Sequence, residues 1–446
     1  MADFIGILGI AIAFFVVIYF TYKGFHLAYV AVIAALIVMI TNGMPILETF
    51  SGTVMQGVAS QVPTLLPLYL FGAIFGKLFI NSGAAHTLAH TIMGICARNT
   101  DGDTKRTIGC LVIITVGAIF NFVGIDPFAS LFTMIGIATG IMAEINLPRK
   151  YMPVVLVIGS SIGNVLPGSM AVPNILCVNF LGTKSYAAPI PGIFYCVFLF
   201  LTSTWYLNKM IRKSTAAGET FEYGPLQPSK VDFDNVPNIV LTLIPLVMIP
   251  ISYNTFLNSQ PWAAMALGCL LAIICFGRYI PQLESRSRIM SVVESLNDGV
   301  ALAGVPAIIL LNYVIGYSIE AAPSFEVIVN AFTSLPGPAL ISLAIMGILL
   351  LGAAASASGL IIALGVAASV YVPLMGVSAE AAHRVLICTN TTLDSLPFCG
   401  AIVAMMAITK ISYKEGYPPI AVTTVGFTIL GTFLTAILMI LFPGLA

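Results

Sequence analysis

Three long stretches of this chain carry no charged side chain. Residues 151–183, 327–379 and 416–446 contain no Asp, Glu, Lys or Arg. Each stretch exceeds the roughly 20 apolar residues that an α-helix needs to cross the hydrocarbon of a bilayer. Charged residues make up 8% of the whole chain, against about 25% in an ordinary soluble domain. These features predict an all-α polytopic membrane protein and exclude a soluble enzyme or a disordered chain.

The charge balance and the sequence motifs narrow the function further. Lys plus Arg and Asp plus Glu each number 18, so the net charge is zero. This balance excludes a nucleic-acid partner, which requires a basic excess. The sequence holds no phosphate loop, dinucleotide fingerprint or haem motif, and none of the eight cysteines has the spacing of a metal or redox pair. We therefore expect no enzymatic activity, no cofactor and no metal, and an ion or substrate gradient as the source of energy.

The apolar segments follow the same order in two halves of the chain. In each half, two spans precede a long helix, a short helix, a helical pair with a polar break, a helix broken at Leu-Pro and a last span. The two Leu-Pro pairs, at 166–167 and 396–397, are offset by 230 residues. We expect a first repeat at 1–212, a cytoplasmic linker at 213–236 and a second repeat at 237–446.

Basic residues predict the orientation of the spans. If both helical pairs re-enter the membrane and return to the side they left, fifteen basic residues share one side, and Lys184 alone is opposite. The fifteen are Lys23, Arg98, Lys105, Arg106, Arg149, Lys150, Lys209, Arg212, Lys213, Lys230, Arg278, Arg286, Arg288, Lys410 and Lys414. The positive-inside rule makes that side cytoplasmic and both termini external. The halves then have opposite orientation, which predicts two inverted repeats.

The helical pairs at 107–143 and 338–374 are predicted to be re-entrant hairpins. The connector of the first pair, Asn121–Asp126, is too short and too apolar for a solvated loop. Helices of about 15 residues reach only about 22 Å, less than the roughly 30 Å of the hydrocarbon core. Each repeat is therefore expected to contain five spans plus one re-entrant hairpin, with discontinuous helices at the site.

Polar side chains at these breaks form the predicted binding site. Irregular backbone at membrane depth is tolerated only where protein buries it or where it lines a wet cavity, and paired breaks point to a transporter site. The candidate substrate-binding residues are Asn121, Gly124, Ser169, Asn174, Ser356, Ser358, Thr392 and Ser395. The alternative is that these polar groups satisfy freed backbone groups locally. Helix N-termini at the breaks favour a carboxylate, so we expect a small organic anion as substrate.

Two acids within the breaks, Asp126 and Asp394, are the candidates for cation or proton coupling. An ionisable residue inside the membrane is a functional candidate by default. Either acid could carry a coupled proton or coordinate a cation, and Asp126 before Pro127 could instead cap a helix. Arg384 could meet a substrate carboxylate, or it could snorkel to the interface or pair with Glu380 at i−4.

Several stretches of the sequence form a pattern that is typical of one transporter family. They are Asp394–Ala401, Ile408–Tyr417, Leu166–Asn174, Phe180–Pro189, Phe71–Lys77 and Ser82–Ala85. These stretches resemble the gluconate permease-type (gluconate:proton symporter) family of the ion transporter superfamily. The resemblance implies a proton-coupled, elevator-type symporter of gluconate-like acids, with a scaffold and a moving transport domain. It also implies a homodimer in the plasma (cytoplasmic or inner) membrane of a prokaryote.

Other functions fit the same residues. The chain could be a sodium-coupled carboxylate symporter, or a sodium/proton antiporter in which Asp126 and Asp394 bind only cations. A passive channel is a further alternative. The resemblance makes the proton the expected coupling ion, and these rival functions make Na⁺ the alternative.

Overall fold

The computed structural model describes residues 2–23, 25–98, 100, 102–125, 127–222, 235–257, 260–282, 287–354, 358–397 and 399–445, and within them it is helical with no strand. Six helices in that part of the chain are long and apolar enough to cross a membrane. They are Asp3–Thr21, Ile46–Asn81, Gly102–Phe122, Pro189–Ala216, Pro261–Tyr279 and Tyr413–Leu441. Shorter apolar helices lie between them. The protein is therefore a polytopic helical membrane protein, as the charge-free stretches predict.

The first half begins with two apolar helices and ends with a helix of 28 residues. Its helices are α1 (Ala2–Tyr22), α2 (Leu27–Thr41), α3 (Ile46–Asn81), α4 (Ala84–Cys96), α5 (Gly102–Phe122), α6 (Pro127–Glu144), α7 (Met152–Val165), α8 (Val172–Leu181) and α9 (Pro189–Ala216). Helix α9 continues four residues past the predicted end of the first repeat at 212. The first part of the predicted linker is therefore helical, and residues 223–234 lie outside the described chain.

The second half has a similar order of elements, with its long helix interrupted by a 3₁₀ turn at Leu310–Asn312. Its helices are α10 (Ile239–Asn254), α11 (Pro261–Phe276), α12 (Arg288–Ile309), α13 (Tyr313–Glu320), α14 (Phe325–Thr333), α15 (Ala339–Ala354), α16 (Ser358–Val366), α17 (Ala379–Asn390), α18 (Gly400–Thr409) and α19 (Tyr413–Leu441). The pair α15 and α16 follows the short helix α14, as α5 and α6 follow α4. The opposite orientation of the two halves in a membrane stays a prediction.

The first helix of the predicted hairpin is longer than the sequence suggests. Helix α5 has 21 residues and so reaches about 31 Å at 1.5 Å per residue. The expectation that this helix is too short to cross the hydrocarbon core was therefore wrong. The connector after it is nevertheless buried, because Val123 and Ile125 are each 1% exposed and the N–H of Met170 donates to the carbonyl of Phe122 at 2.8 Å.

Glycines bring α5 and α7 into direct backbone contact. A Cβ on Gly159 would lie 2.7 Å from the carbonyl oxygen of Ile114, and one on Gly163 would lie 2.4 Å from that of Ala118. Only residues without a side chain allow two backbones to approach so closely. Positions 159 and 163 on α7 face positions 114 and 118 on α5 in the same order, so the two helices run in the same direction. Their ends therefore lie side by side.

The long helices α3 and α12 pack along each other in opposite directions. The Nζ of Lys77 lies 3.3 Å from an Oδ of Asp298, and one turn further along α3 the amide of Asn81 donates to the hydroxyl of Ser295 at 3.0 Å. Helix α11 packs against α3, and α10 packs in turn against α11. A second group of helices, α5, α7, α9, α17 and α19, packs around the two Leu-Pro breaks. The candidate site lies within this second group.

Candidate functional site

A cavity of about 100 Å³ lies between the ends of α5 and α7 and the Leu-Pro break of the second half. Its walls combine polar side chains from both halves of the chain with an apolar surface. The lining residues are Gly117, Asn121, Met134, Leu156, Val157, Ser160, Ser161, Asn164, Thr391, Asp394, Ser395, Ala401, Ile402 and Met405. Of the residues predicted from the sequence, the structure brings Asn121, Asp394 and Ser395 together here.

The first-half wall contains two side-chain amides, those of Asn121 and Asn164, and only the first is held by hydrogen bonds to described residues. The amide nitrogen of Asn121 donates to the carbonyl of Gly117 at 3.2 Å, and its amide oxygen accepts a hydrogen bond from the hydroxyl of Ser160 at 3.3 Å. Asn164, one turn beyond Ser160 on α7, is half-buried and makes no side-chain hydrogen bond to any described residue. Its amide is therefore available to a ligand as both donor and acceptor.

The second-half wall contains the carboxyl group of the cavity. Helix α17 ends at Asn390, and a single 3₁₀ turn from Leu393 to Ser395 carries Asp394 into the cavity. The thiol of Cys399 is 3.5 Å from an oxygen of Asp394. Among the described residues, no ion pair includes Asp394. A carboxyl group without a cation is cheaper to bury neutral than charged, so Asp394 is suited to hold a proton.

Four other predicted residues lie at the breaks but do not line the cavity. The hydroxyl of Ser169 accepts from the N–H of Ala171 at 3.1 Å, and that of Thr392 donates to the carbonyl of Thr389 at 2.6 Å. Gly124 makes the turn after α5 with φ of +88°. Asn174 lies in the first turn of α8, and its amide nitrogen donates to the carbonyl of Ser169 at 2.6 Å. Their hydrogen bonds and backbone geometry support the breaks themselves.

Three candidates cannot be placed. Asp126 and Ser356 lie outside the described residues, and the side chain of Ser358 does as well. The role of the predicted second acid and the contribution of the α15–α16 break therefore stay predictions.

Arg384 holds the two halves together at the first Leu-Pro break. Its side chain is fully buried, and its guanidinium donates to the carbonyl of Val165 at 2.6 Å and to that of Ala187 at 3.0 Å. The expectations that Arg384 snorkels or pairs with Glu380 were therefore wrong. The carbonyl of Val165 ends helix α7, where no intrahelical donor is available. The arginine thus replaces the missing donors at the break.

His383 makes a second buried link between the halves. One ring nitrogen lies 2.7 Å from the amide oxygen of Asn174, and the other lies 2.6 Å from the hydroxyl of Thr183. The amide nitrogen of Asn174 already donates to carbonyls, so the imidazole nitrogen that faces the amide oxygen is the donor. Helix α17 is therefore attached to the first-half break at two adjacent residues.

Sequence reasoning missed part of the cavity wall. Ser160, Ser161 and Asn164 line it, and Ser160 and Asn164 stand at i and i+4 on α7, which places them on one face. Thr391, at the end of α17, also lines it, and its hydroxyl lies 2.5 Å from that of Tyr195. The signal was present in the sequence as polar residues at helical spacing just before the break. The prediction covered only residues within the breaks, so it left out these residues on the preceding helix.

Comparison with known proteins identifies the class of protein. No family model matches the chain. The chain is 25% identical over 455 residues to the "Uncharacterized transporter YxjC" of Bacillus subtilis (strain 168), which covers 93% of this chain and 95% of that protein. This chain is a homologue of bacterial transporters. A second relative, the "High-affinity gluconate transporter" of Escherichia coli (strain K12), is 26% identical over 269 residues, or 55% of this chain and 56% of that protein. The resemblance to gluconate transporters seen in the sequence is thereby confirmed.

A solved structure shares the fold. The YdaH transporter of Alcanivorax borkumensis aligns with a TM-score of 0.55, covers 89% of each chain and is 14% identical in sequence. At that identity the likeness concerns the fold alone. It agrees with a helical membrane architecture that extends over most of the chain.

Proposed function

We propose that this transporter homologue is a secondary active symporter that moves a small organic anion together with protons. Gluconate or a related hydroxy or sugar acid is the proposed substrate class, because a relative is named as a gluconate transporter. The observation that carries the proposal is the cavity between the two halves, where Asp394 meets the polar groups of Asn121, Asn164 and Ser395. The proposed location is the plasma membrane of a prokaryote, with both termini external.

Protonation of Asp394 would decide whether an anion can enter. Two like charges a few ångströms apart repel strongly where water is excluded, so an ionised Asp394 would oppose a carboxylate in the same cavity. A proton on Asp394 removes this repulsion and converts one oxygen into a hydrogen-bond donor. Loss of the proton at the cytoplasmic side would restore the repulsion and help to release the substrate. One carboxyl group would thereby couple the two fluxes.

The breaks and their attachments support an elevator-type movement. Helices that meet through Arg384 and His383 share buried hydrogen bonds, so we propose that they move as one transport domain. The long helices α3 and α12, with α10 and α11, would form the scaffold and the interface of a homodimer. Inverted repeats would supply the two alternating states, because each half can adopt the arrangement of the other.

Sodium coupling is the second candidate. The hydroxyl groups of Thr391 and Ser395 line the same cavity as the Asp394 carboxylate, and hard cations prefer oxygen ligands of this kind. In that case the cation, rather than a proton, would neutralise Asp394. The arrangement of the cavity allows either ion. The two cases differ in whether substrate uptake carries protons or requires sodium, and both can be measured.

Proton flux in proteoliposomes tests the proposal. Purified protein is reconstituted with an internal pH-sensitive dye, and gluconate, lactate or hydroxybutyrate is added outside. We expect substrate-dependent internal acidification without Na⁺, because each anion enters with protons. Acidification that requires a sodium gradient would favour sodium coupling. Alkalinisation on addition of sodium alone would favour the antiporter, and anion flux without any proton movement would indicate a channel.

A further inference from the structure

The cavity changes from polar to apolar along its length. Its α7 wall runs from Leu156 and Val157, through Ser160 and Ser161, to Asn164. Leu156 and Asn164 are about 12 Å apart along the helix axis at 1.5 Å per residue. The polar end coincides with the end of α7, and the apolar end lies two turns earlier. A ligand that fills this cavity meets polar groups at one end and hydrocarbon at the other.

The neighbouring walls can be placed along the same axis. Helix α5 runs beside α7 in the same direction, and a Cβ on Gly163 would lie 2.7 Å from the Cβ of Asn121, so Asn121 belongs to the polar end. Helix α18 runs the opposite way, because the start of the following helix α19 packs against α7 and residues 149–151, at the beginning of α7. Met405, in the middle of α18, therefore lies nearer the apolar end than Ala401 and Ile402, and this wall is apolar throughout.

We propose that the ligand of this cavity is a hydroxy acid with an apolar tail. This inference rests on the proposed function and narrows its substrate class. The carboxyl and hydroxyl groups occupy the end that Asn121, Asn164 and Asp394 form. The alkyl tail lies against Leu156, Val157 and Met405. A sugar acid fits less well, because its distal hydroxyls would leave water and meet no hydrogen-bond partner on these side chains.

The competing explanation is that the apolar end is a barrier in the exit path. Such a barrier closes the cavity towards the cytoplasmic side and leaves the choice of substrate to the polar end. It predicts that gluconate is bound at least as well as a hydroxy acid with the same number of carbons. It also predicts that a polar residue at the apolar end accelerates the leak of every substrate alike.

A matched pair of ligands separates these explanations. Gluconate and hydroxyhexanoate have the same number of carbons and one carboxylate each, but hydroxyhexanoate carries a single hydroxyl, whereas gluconate carries one on every carbon beyond the carboxylate. Counterflow of radiolabelled hydroxybutyrate in proteoliposomes is competed with lactate, hydroxybutyrate, hydroxyhexanoate and gluconate. We expect affinity to rise about fourfold per added methylene, in line with the burial of a methylene group. We also expect hydroxyhexanoate to bind more tightly than gluconate.

A substitution at the apolar end provides an independent measurement. Met405→Gln should weaken hydroxyhexanoate at least about tenfold and leave lactate unchanged, because lactate does not reach Met405. Met290→Gln, at an exposed methionine on α12, is the control and should change neither. An equal loss for both ligands would overturn the inference. If Met405→Gln does not fold, the ligand series with the wild-type protein still decides.

The inference and the proposed function fail in different ways. Transport of gluconate with a clear preference over hydroxyhexanoate would overturn the inference and leave the symporter proposal in place. Transport of none of these anions would reject the proposed function itself. Proton-coupled transport that strengthens with tail length supports both.

Discussion

Arg384 illustrates how a single residue can hold a broken helix in a membrane protein. The side chain is fully buried, and none of the ion pairs among the described residues includes it. Main-chain carbonyls at Val165 and Ala187 accept its hydrogen bonds instead. A planar guanidinium can reach two carbonyls at once, which an ammonium group at the end of a flexible chain cannot match. The break therefore depends on arginine in particular.

Replacement of this arginine should weaken the fold even when the charge is kept. Arg384→Lys is expected to lose one of the two carbonyl partners, at a cost of about 2 kcal/mol for a charge-assisted hydrogen bond. The temperature at which the detergent-solubilised protein loses its monodisperse size-exclusion peak should fall. Lys184→Gln, at an exposed lysine, is the control and should leave that temperature unchanged. A lysine variant as stable as the wild type would show that the carbonyls find other donors.

At the scale of helices, the contact of α5 with α7 places the polar end of the cavity. The contact depends on glycine, because a Cβ on Gly163 would meet both the carbonyl of Ala118 and the Cβ of Asn121. Gly140 on α6 provides the contrast, since a Cβ there would have no neighbour within 4 Å. Both glycines lie within helices, but only Gly163 is in close contact with a neighbouring helix.

A pair of alanine substitutions tests the contact. Gly163→Ala should separate α5 from α7 and destabilise the protein by about 1–3 kcal/mol, the usual cost of overpacking. Substrate affinity should also fall, because Asn121 moves with α5. Gly140→Ala should be neutral or stabilise by about 0.5–1 kcal/mol, since alanine favours a helix over glycine. Thermal inactivation and ligand binding of both variants provide the measurement, and equal effects would contradict the packing shown here.

Sequence reasoning predicted the helices better than the cavity. Charge-free stretches and Leu-Pro pairs locate the spans and the breaks, because hydrophobicity and proline act on the chain locally. The partners of Arg384 could not be predicted in the same way, since Val165 is 219 positions away in the sequence and Ala187 is 197 positions away. Ser160 and Asn164 were missed because polar residues within an apolar helix acquire a role only through the neighbouring helix.

At the scale of the whole molecule, the two halves of the chain meet at the candidate site. Asn121 and Asn164 come from the first half, and Asp394 and Ser395 come from the second, so neither half forms the cavity alone. His383 and Arg384 attach helix α17 of the second half to the first-half break at another place. Under the proposed mechanism, a proton on Asp394 would therefore influence both halves at once. This arrangement is what a coupled transporter needs, because the ion and the substrate must share one conformational change.

The most direct measurement compares exchange with accumulation in the Asp394→Asn variant. Asparagine has nearly the same shape as a protonated aspartate and cannot release a proton. Radiolabelled hydroxybutyrate and gluconate are followed in proteoliposomes, first by counterflow and then under an imposed pH gradient. Asp126→Asn is the comparison, and its effect should be smaller because asparagine can also serve the capping role that the sequence predicts for Asp126. We predict that Asp394→Asn keeps counterflow and loses accumulation driven by the pH gradient. Accumulation equal to that of the wild type would contradict the account, because the proton would then pass elsewhere.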